Sequence, residues 1–158
     1  MQILPGTLAE VNSFLRIEQE AFPVDGYDLK LLRKYIKKSL ICLKMVNDTN
    51  SEIIGYFVCS GLKLDELEEG STKGIEFESL AILPAYQGKG YGTQFMHRIM
   101  DELSEMGVDY IELQVDTSNG TAIHLYENFG FQIMETLSQY YNESGHDAFV
   151  MVWKKQTL

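Results

Sequence analysis

The chain has 158 residues, 45% of them apolar, with 13 Lys+Arg against 23 Asp+Glu and a formal net charge of -10. That size and composition suit one globular domain with its own core, and the acidic balance argues against a protein that grips nucleic acid through a basic stripe. No apolar run nears the roughly 18 residues of a membrane span, no charged start resembles a signal peptide, and Cys42 and Cys59 lack metal or disulfide-scaffold spacing, so a soluble, cytoplasmic chain is expected.

Gln2–Leu4 reads as a short first strand. Thr7 is a plausible N-cap, with Glu10 three residues later completing a capping box. Leu8, Val11, Leu15 and Phe22 follow at helical spacing, and Pro23 ends that helix. A second helix starts near Asp28 and carries Leu31, Leu32, Tyr35 and Ile36 on one face. The β-rich runs 40–46 and 53–60 flank the polar turn 47–52, which is a hairpin signal. A strand over 75–83 follows the acidic segment 65–70 and ends at Pro84.

A long helix comes after the glycines at 88, 90 and 92, with Phe95, Met96, Ile99, Met100 and Leu103 on one side and Gly107 as its stop. The remaining elements are a strand over 110–115, a helix over 118–128 ended by Gly130, and two closing strands over 131–138 and 148–153. The order is β-α-α-β-β-β-α-β-α-β-β. It predicts a single-domain, mixed α/β fold with a central mixed sheet flanked by helices, in which the strands at 75–83 and 110–115 run parallel.

The sharpest motif is Gln87-Gly88-Lys89-Gly90-Tyr91-Gly92, set between a strand and a helix. Its glycines let backbone N–H groups converge on a ligand. The helix start that follows favours an anion such as a diphosphate. The phosphate loop of ATPases is absent, and the dinucleotide fingerprint fails because the third glycine comes one residue early. A second segment, Asn119 to Phe131, reads as a short amphipathic helix with Ala122, Tyr126 and Phe129 inward.

Together these residues resemble the GNAT acetyltransferases. Gln87 to Gly92 after Leu80-Ala81-Ile82-Leu83-Pro84 looks like that family's acetyl-CoA signature, and Asn119-x-x-Ala122-x-x-x-Tyr126-x-x-x-Gly130-Phe131 is similar to its later motif. The resemblance covers essentially the whole chain. A finer likeness links Ile17-Glu18-Gln19-Glu20-Ala21-Phe22-Pro23, Tyr140-Tyr141 and Gly145-His146-Asp147-Ala148 to enzymes that acetylate protein N-termini, including the ribosomal-protein acetylases.

The resemblance implies acetyl transfer from acetyl-CoA, as cosubstrate, to a primary amine. Cofactor contacts would fall to Leu80, Ala81, Ile82, Gln87, Gly88, Lys89, Gly90, Tyr91, Gly92, Thr93, Asn119 and Tyr126. The N–H of Ile82 would be the oxyanion donor and Tyr126 the general acid, since a phenol stays protonated at neutral pH. Glu76 matches a glutamate that serves as base in some lysine acetylases. The ribosomal-protein acetylases carry a glutamate where this chain has Gln114, and an amide cannot take a proton at neutral pH.

Glu78, Gln114, Tyr140 and Tyr141 are candidate acceptor contacts, while Glu112 shares the strand face of Gln114. His146 falls in a loop that, by the same likeness, borders the acceptor. Spacing of His97, His124 and His146 marks no metal site, so none is expected. The acidic group Asp65, Glu66, Glu68 and Glu69 would suit a cationic acceptor or simply a solvated loop.

The leading expectation is an N-acetyltransferase for a peptide or protein α-amine. A small amine, a polyamine or lysine is the alternative acceptor. Acting alone as a monomer or homodimer, such an enzyme needs neither nucleic acid nor membrane. Two readings from other classes remain, a non-catalytic acyl-CoA-binding module and a nucleotide-binding regulatory domain.

Overall fold

Thr7 opens the helical part of the chain by the route its sequence predicts. Its side chain accepts from the Ala9 N–H while Glu10 returns to the Thr7 N–H, and this capping box starts a 3-10 turn over Leu8–Glu10. The computed structural model describes residues 1–157. Their helices are α1 (Val11–Ala21), α2 (Leu29–Lys38), α3 (Tyr91–Glu105) and α4 (Gly120–Asn128). The strands are β1 (Gln2–Pro5), β2 (Ile41–Val46), β3 (Ile53–Gly61), β4 (Gly74–Ile82), β5 (Tyr110–Asp116), β6 (Gln132–Leu137) and β7 (Ala148–Lys154). They make one sheet in the order β1-β2-β3-β4-β5-β7-β6. The predicted element order and mixed sheet are both found.

The chain divides into two compact units, one of Met1–Ser60 with Glu78–Arg98 and the other of Gly61–Phe77 with the chain from Ile99 onward. In the first, β1, β2 and β3 pair antiparallel. Phe14, Ile17, Leu32, Met45, Ile54, Phe57, Phe95 and Met96 are buried there. Phe14 stacks on Tyr56 with ring centroids 5.0 Å apart. The buried face of α1 is Val11, Phe14, Ile17 and Glu18, a correction to the expected stripe, because Leu8 is exposed and Leu15 and Phe22 are only half-buried. Asp28 caps α2 by accepting from the Leu31 N–H at 2.8 Å.

In the second unit, the first part of β4 runs parallel to β5, from Gly74↔Tyr110 to Glu76↔Glu112. The β5–β7 and β6–β7 pairs are antiparallel, and β6 shifts register between Ile133 and Glu135. Tyr110, Val150 and Val152 are buried under Leu62, Leu67 and Leu137. Asn119 caps α4, which therefore starts two residues later than the sequence suggested. No helix of the described residues is long and apolar enough to cross a membrane.

Candidate active site

The loop after β4 is built by short local bonds. Pro84–Tyr86 form a 3-10 turn, and the Gln87 side-chain amide donates to the Ile82 carbonyl at 2.8 Å, clasping the turn to the strand end. Gly88 and Gly90 then take φ of +74° and +84°, a backbone region that L side chains rarely adopt. A Cβ at either position would meet nothing within 4 Å, so their role is conformation and open space rather than packing. Gly92, by contrast, lies inside α3, which starts at Tyr91, two residues earlier than a helix that follows Gly92.

This alternation leaves six successive backbone N–H groups, Gly88 to Thr93, with no acceptor among the described residues. The first helical bond of this segment is Gln94 N–H to Gly90 O at 3.1 Å. Six free donors at the positive end of a helix make a cradle for a multiply charged anion. Lys89 stands 5.6 Å over the Tyr86 ring, and the Tyr86 hydroxyl is fixed by Glu52 at 2.7 Å. Among the other residues expected at the cofactor, Ala81 and Ile82 are buried and Leu80 is half-buried on β4.

Within the second unit, Tyr126 on α4 is only 8% exposed. Its ring sits 6.3 Å from Phe77 and 5.6 Å from Phe131. The phenol forms no hydrogen bond with any described residue. Burial alone pushes its pKa up, so the oxygen keeps its proton across the working range. Asn119 Oδ1 accepts from the Ala122 N–H at 3.2 Å, which occupies the carbonyl of that amide and not its NH2.

Gln114 stands where a base is expected by likeness, and it serves a neighbour instead. Its Nε2 donates to Glu112 Oε1 at 3.3 Å, and the Tyr110 hydroxyl donates to Glu112 Oε2 at 3.1 Å. Glu112 is the register partner of Glu76 across the parallel pair. Tyr140 and Tyr141 meet edge-on at 5.0 Å in the β6–β7 connection. That connection is tied by Gln139 N–H to Asp147 Oδ1 at 2.8 Å and by His146 Nδ1 against Asp116 Oδ2 at 2.7 Å. The acidic segment is engaged locally, with Glu66 accepting from the Lys63 N–H and Glu68 paired with Lys154.

Sequence reasoning missed a buried carboxylate. Glu18 of α1 is 3% exposed. It accepts from the Tyr56 hydroxyl, from Ser79 Oγ at 2.8 Å and from the Tyr27 N–H at 3.3 Å. The Tyr27 hydroxyl in turn donates to the Glu78 carbonyl at 2.7 Å. Glu18 and Tyr27 thereby stitch the α1–α2 connection to β4 just before Leu80. The available signal was spacing, since Glu18 falls seven residues after Val11 in the apolar stripe.

Burial pushes the Glu18 carboxyl up despite its three donors. A raised carboxyl favours the fold most at low pH, and that contribution is lost as pH climbs from about 4.3 through the folded value. Glu18→Gln should remove this decline and cost about 1–3 kcal/mol, because an amide N–H would face a donor. Urea melts at pH 5 and pH 8 check it; a variant with the wild-type slope would be the contrary result. Glu78 is also raised by burial, against a 2.5 Å bond from Ser60 Oγ and the nearby charge of Lys34.

The first unit thus carries a strand-to-helix loop of free N–H groups, and the second carries a buried phenol on α4. The chain belongs to the acetyltransferase (GNAT) family, whose model matches residues 11–131. It is 30% identical over 94% of its length to an uncharacterised protein of Mycobacterium leprae, and it spans 40% of that relative. It is 33% identical to the ribosomal protein bS18-alanine N-acetyltransferase of Haemophilus influenzae, covering 79% of this chain and 77% of the relative. Its fold is like that of a chain in the NatC complex bound to Gag peptide and CoA, with a TM-score of 0.82, 21% identity and coverage of 99% and 100%.

Proposed function

We propose that the chain transfers the acetyl group of acetyl-CoA to the α-amine of a peptide or protein N-terminus, in the cytoplasm. The observation that carries this is the run of six free N–H groups from Gly88 to Thr93. Such a run suits the diphosphate of CoA, with Gln87 holding the turn and Lys89 adding charge. Leu80, Ala81 and Ile82 take the pantetheine arm, and the amide of Asn119 adds a further cofactor contact.

In the reaction the free amine attacks the thioester carbonyl. The new C–N bond forms as negative charge gathers on oxygen, where the Ile82 N–H donates. The C–S bond then breaks, and the Tyr126 hydroxyl gives its proton to the departing thiolate. Glu76 takes the proton lost by the amine, directly or through water. Glu78, Gln114, Tyr140 and Tyr141 meet the acceptor. The relative named as a ribosomal protein bS18-alanine N-acetyltransferase supports the α-amine as target, since an alanine residue has no side-chain amine.

Ligand-dependent melting tests the cofactor. Acetyl-CoA or CoA at 100 times its Kd should add about 2.7 kcal/mol of stability, while ATP and NAD add none. Gly90→Val should abolish the shift, because a β-branched residue resists the left-handed backbone and its methyls enter the cradle. An undiminished shift in that variant, or an equal response to ATP, would remove the diphosphate from this loop.

A further inference from the structure

Helix α2 is unlike the rest of the chain. Its ten residues hold Lys30, Arg33, Lys34, Lys37 and Lys38 and no acid. The remaining eight basic residues stand against all 23 acidic ones. The five cations follow the i, i+3, i+4, i+7, i+8 pattern, so they share one face, opposite the buried Leu32 and Ile36. All five are exposed. None takes part in a hydrogen bond or ion pair among the described residues. The sequence had suggested a chain without a basic stripe; the net charge conceals this one.

Folding does not explain the stripe. Like charges at that spacing oppose the helix. Lys37 and Lys38 gain from the negative end of the helix dipole, but Lys30 and Arg33 lie toward its positive end. The helix is also placed next to the site. Its start is joined to β4 through the Tyr27–Glu78 bond, and Lys34 is close enough to Glu78 to lower that carboxyl's pKa.

We infer that this face of α2 binds acidic side chains of the acceptor polypeptide, downstream of the amine that is acetylated. The inference rests on the proposed N-terminal acetylation. From Lys30 to Lys38 the helix rises about 12 Å, which an extended peptide covers in about four residues. Two side chains on one side of such a segment meet the stripe. A polynucleotide would soon run past it onto a surface dominated by carboxylates, which favours the short acidic peptide.

The test compares two peptides with the same first two residues, followed by a segment bearing either Glu or Gln. The variant K30Q/R33Q/K37Q/K38Q is measured beside the wild type, with Lys34 kept because of Glu78. At low salt the wild type should show a KM about tenfold lower for the Glu peptide, as two exposed ion pairs allow. That preference should shrink as salt is raised and vanish in the variant, whose kcat on the Gln peptide stays at the wild-type value.

Equal KM values in the wild type, or a preference that survives in the variant, would overturn the inference. So would a stripe-dependent grip on a short RNA without any peptide preference. Fluorescence anisotropy of the same peptides separates this inference from the reaction. If neither peptide is acetylated but the Glu peptide binds the wild type and not the variant, the stripe stands and the reaction falls. If neither is acetylated and neither binds, both fall.

Discussion

Tyr126→Phe is expected to lower kcat on the order of 10²-fold while leaving affinity for CoA close to that of the wild type. The substitution deletes one oxygen and keeps the ring that packs on Phe77 and Phe131. Because the phenol has no hydrogen-bond partner among the described residues, its loss leaves no other group stranded. Thermal stability should therefore hold or rise slightly. Burial keeps the phenol protonated, so no limb of the wild-type pH profile below pH 9 should belong to it. Single-turnover kinetics with acetyl-CoA and a peptide give the reading. Full turnover in the Phe variant would mean that water or another side chain protonates the thiolate.

The elements of this chain were legible because their signals are local. The Thr7–Glu10 box, the Asp28 cap and the alternation of β2 and β3 each depend on a few adjacent residues. The glycine loop was legible for the same reason, since strand, alternating glycines and helix follow one another directly. The Glu18 cluster was not, because its partners lie 38 and 61 residues away along the chain. A glutamate in a helix looks solvated until a tyrosine and a serine from two strands are known to face it. Val11 is buried as expected, but Phe14 and Ile17 take the places expected of Leu15 and Phe22 on the inner face of α1. The place of β7 between β5 and β6 was equally hidden, since strand order in space leaves little trace in local pattern. Gln87 shows a subtler gap. The motif marked it as a cofactor residue and gave no sign of the bond that its side chain makes to the Ile82 carbonyl.

The choice between α- and ε-amines should follow from how much proton removal the site can perform. An α-amine with a pKa near 7.7–8.0 is about a tenth neutral at pH 7, whereas a lysine side chain near 10.4 is neutral in under about one molecule in a thousand. Gln114 is no base, and its amide is engaged in holding Glu112. Glu76, in register with Glu112 at the parallel end of β4, is then the carboxylate left to accept the proton. Peptide N-termini should accordingly be acetylated about 10²-fold faster than internal lysines at pH 7. Raising the pH should lift the lysine rate about tenfold per unit toward pH 10, while the N-terminal rate levels off near pH 8. Glu76→Gln should cost lysine acceptors most, about 10²-fold or more in kcat/KM, because they depend most on a base. N-terminal acceptors should lose less and recover as pH rises and the free amine becomes abundant. Glu78→Gln, measured beside it, should act mainly through KM for the acceptor, since Ser60 Oγ holds that carboxylate and the charge of Lys34 on α2 is near it. A clear preference for lysine or polyamines, with Glu76→Gln silent on both acceptors, would remove Glu76 from the reaction and the α-amine from its target.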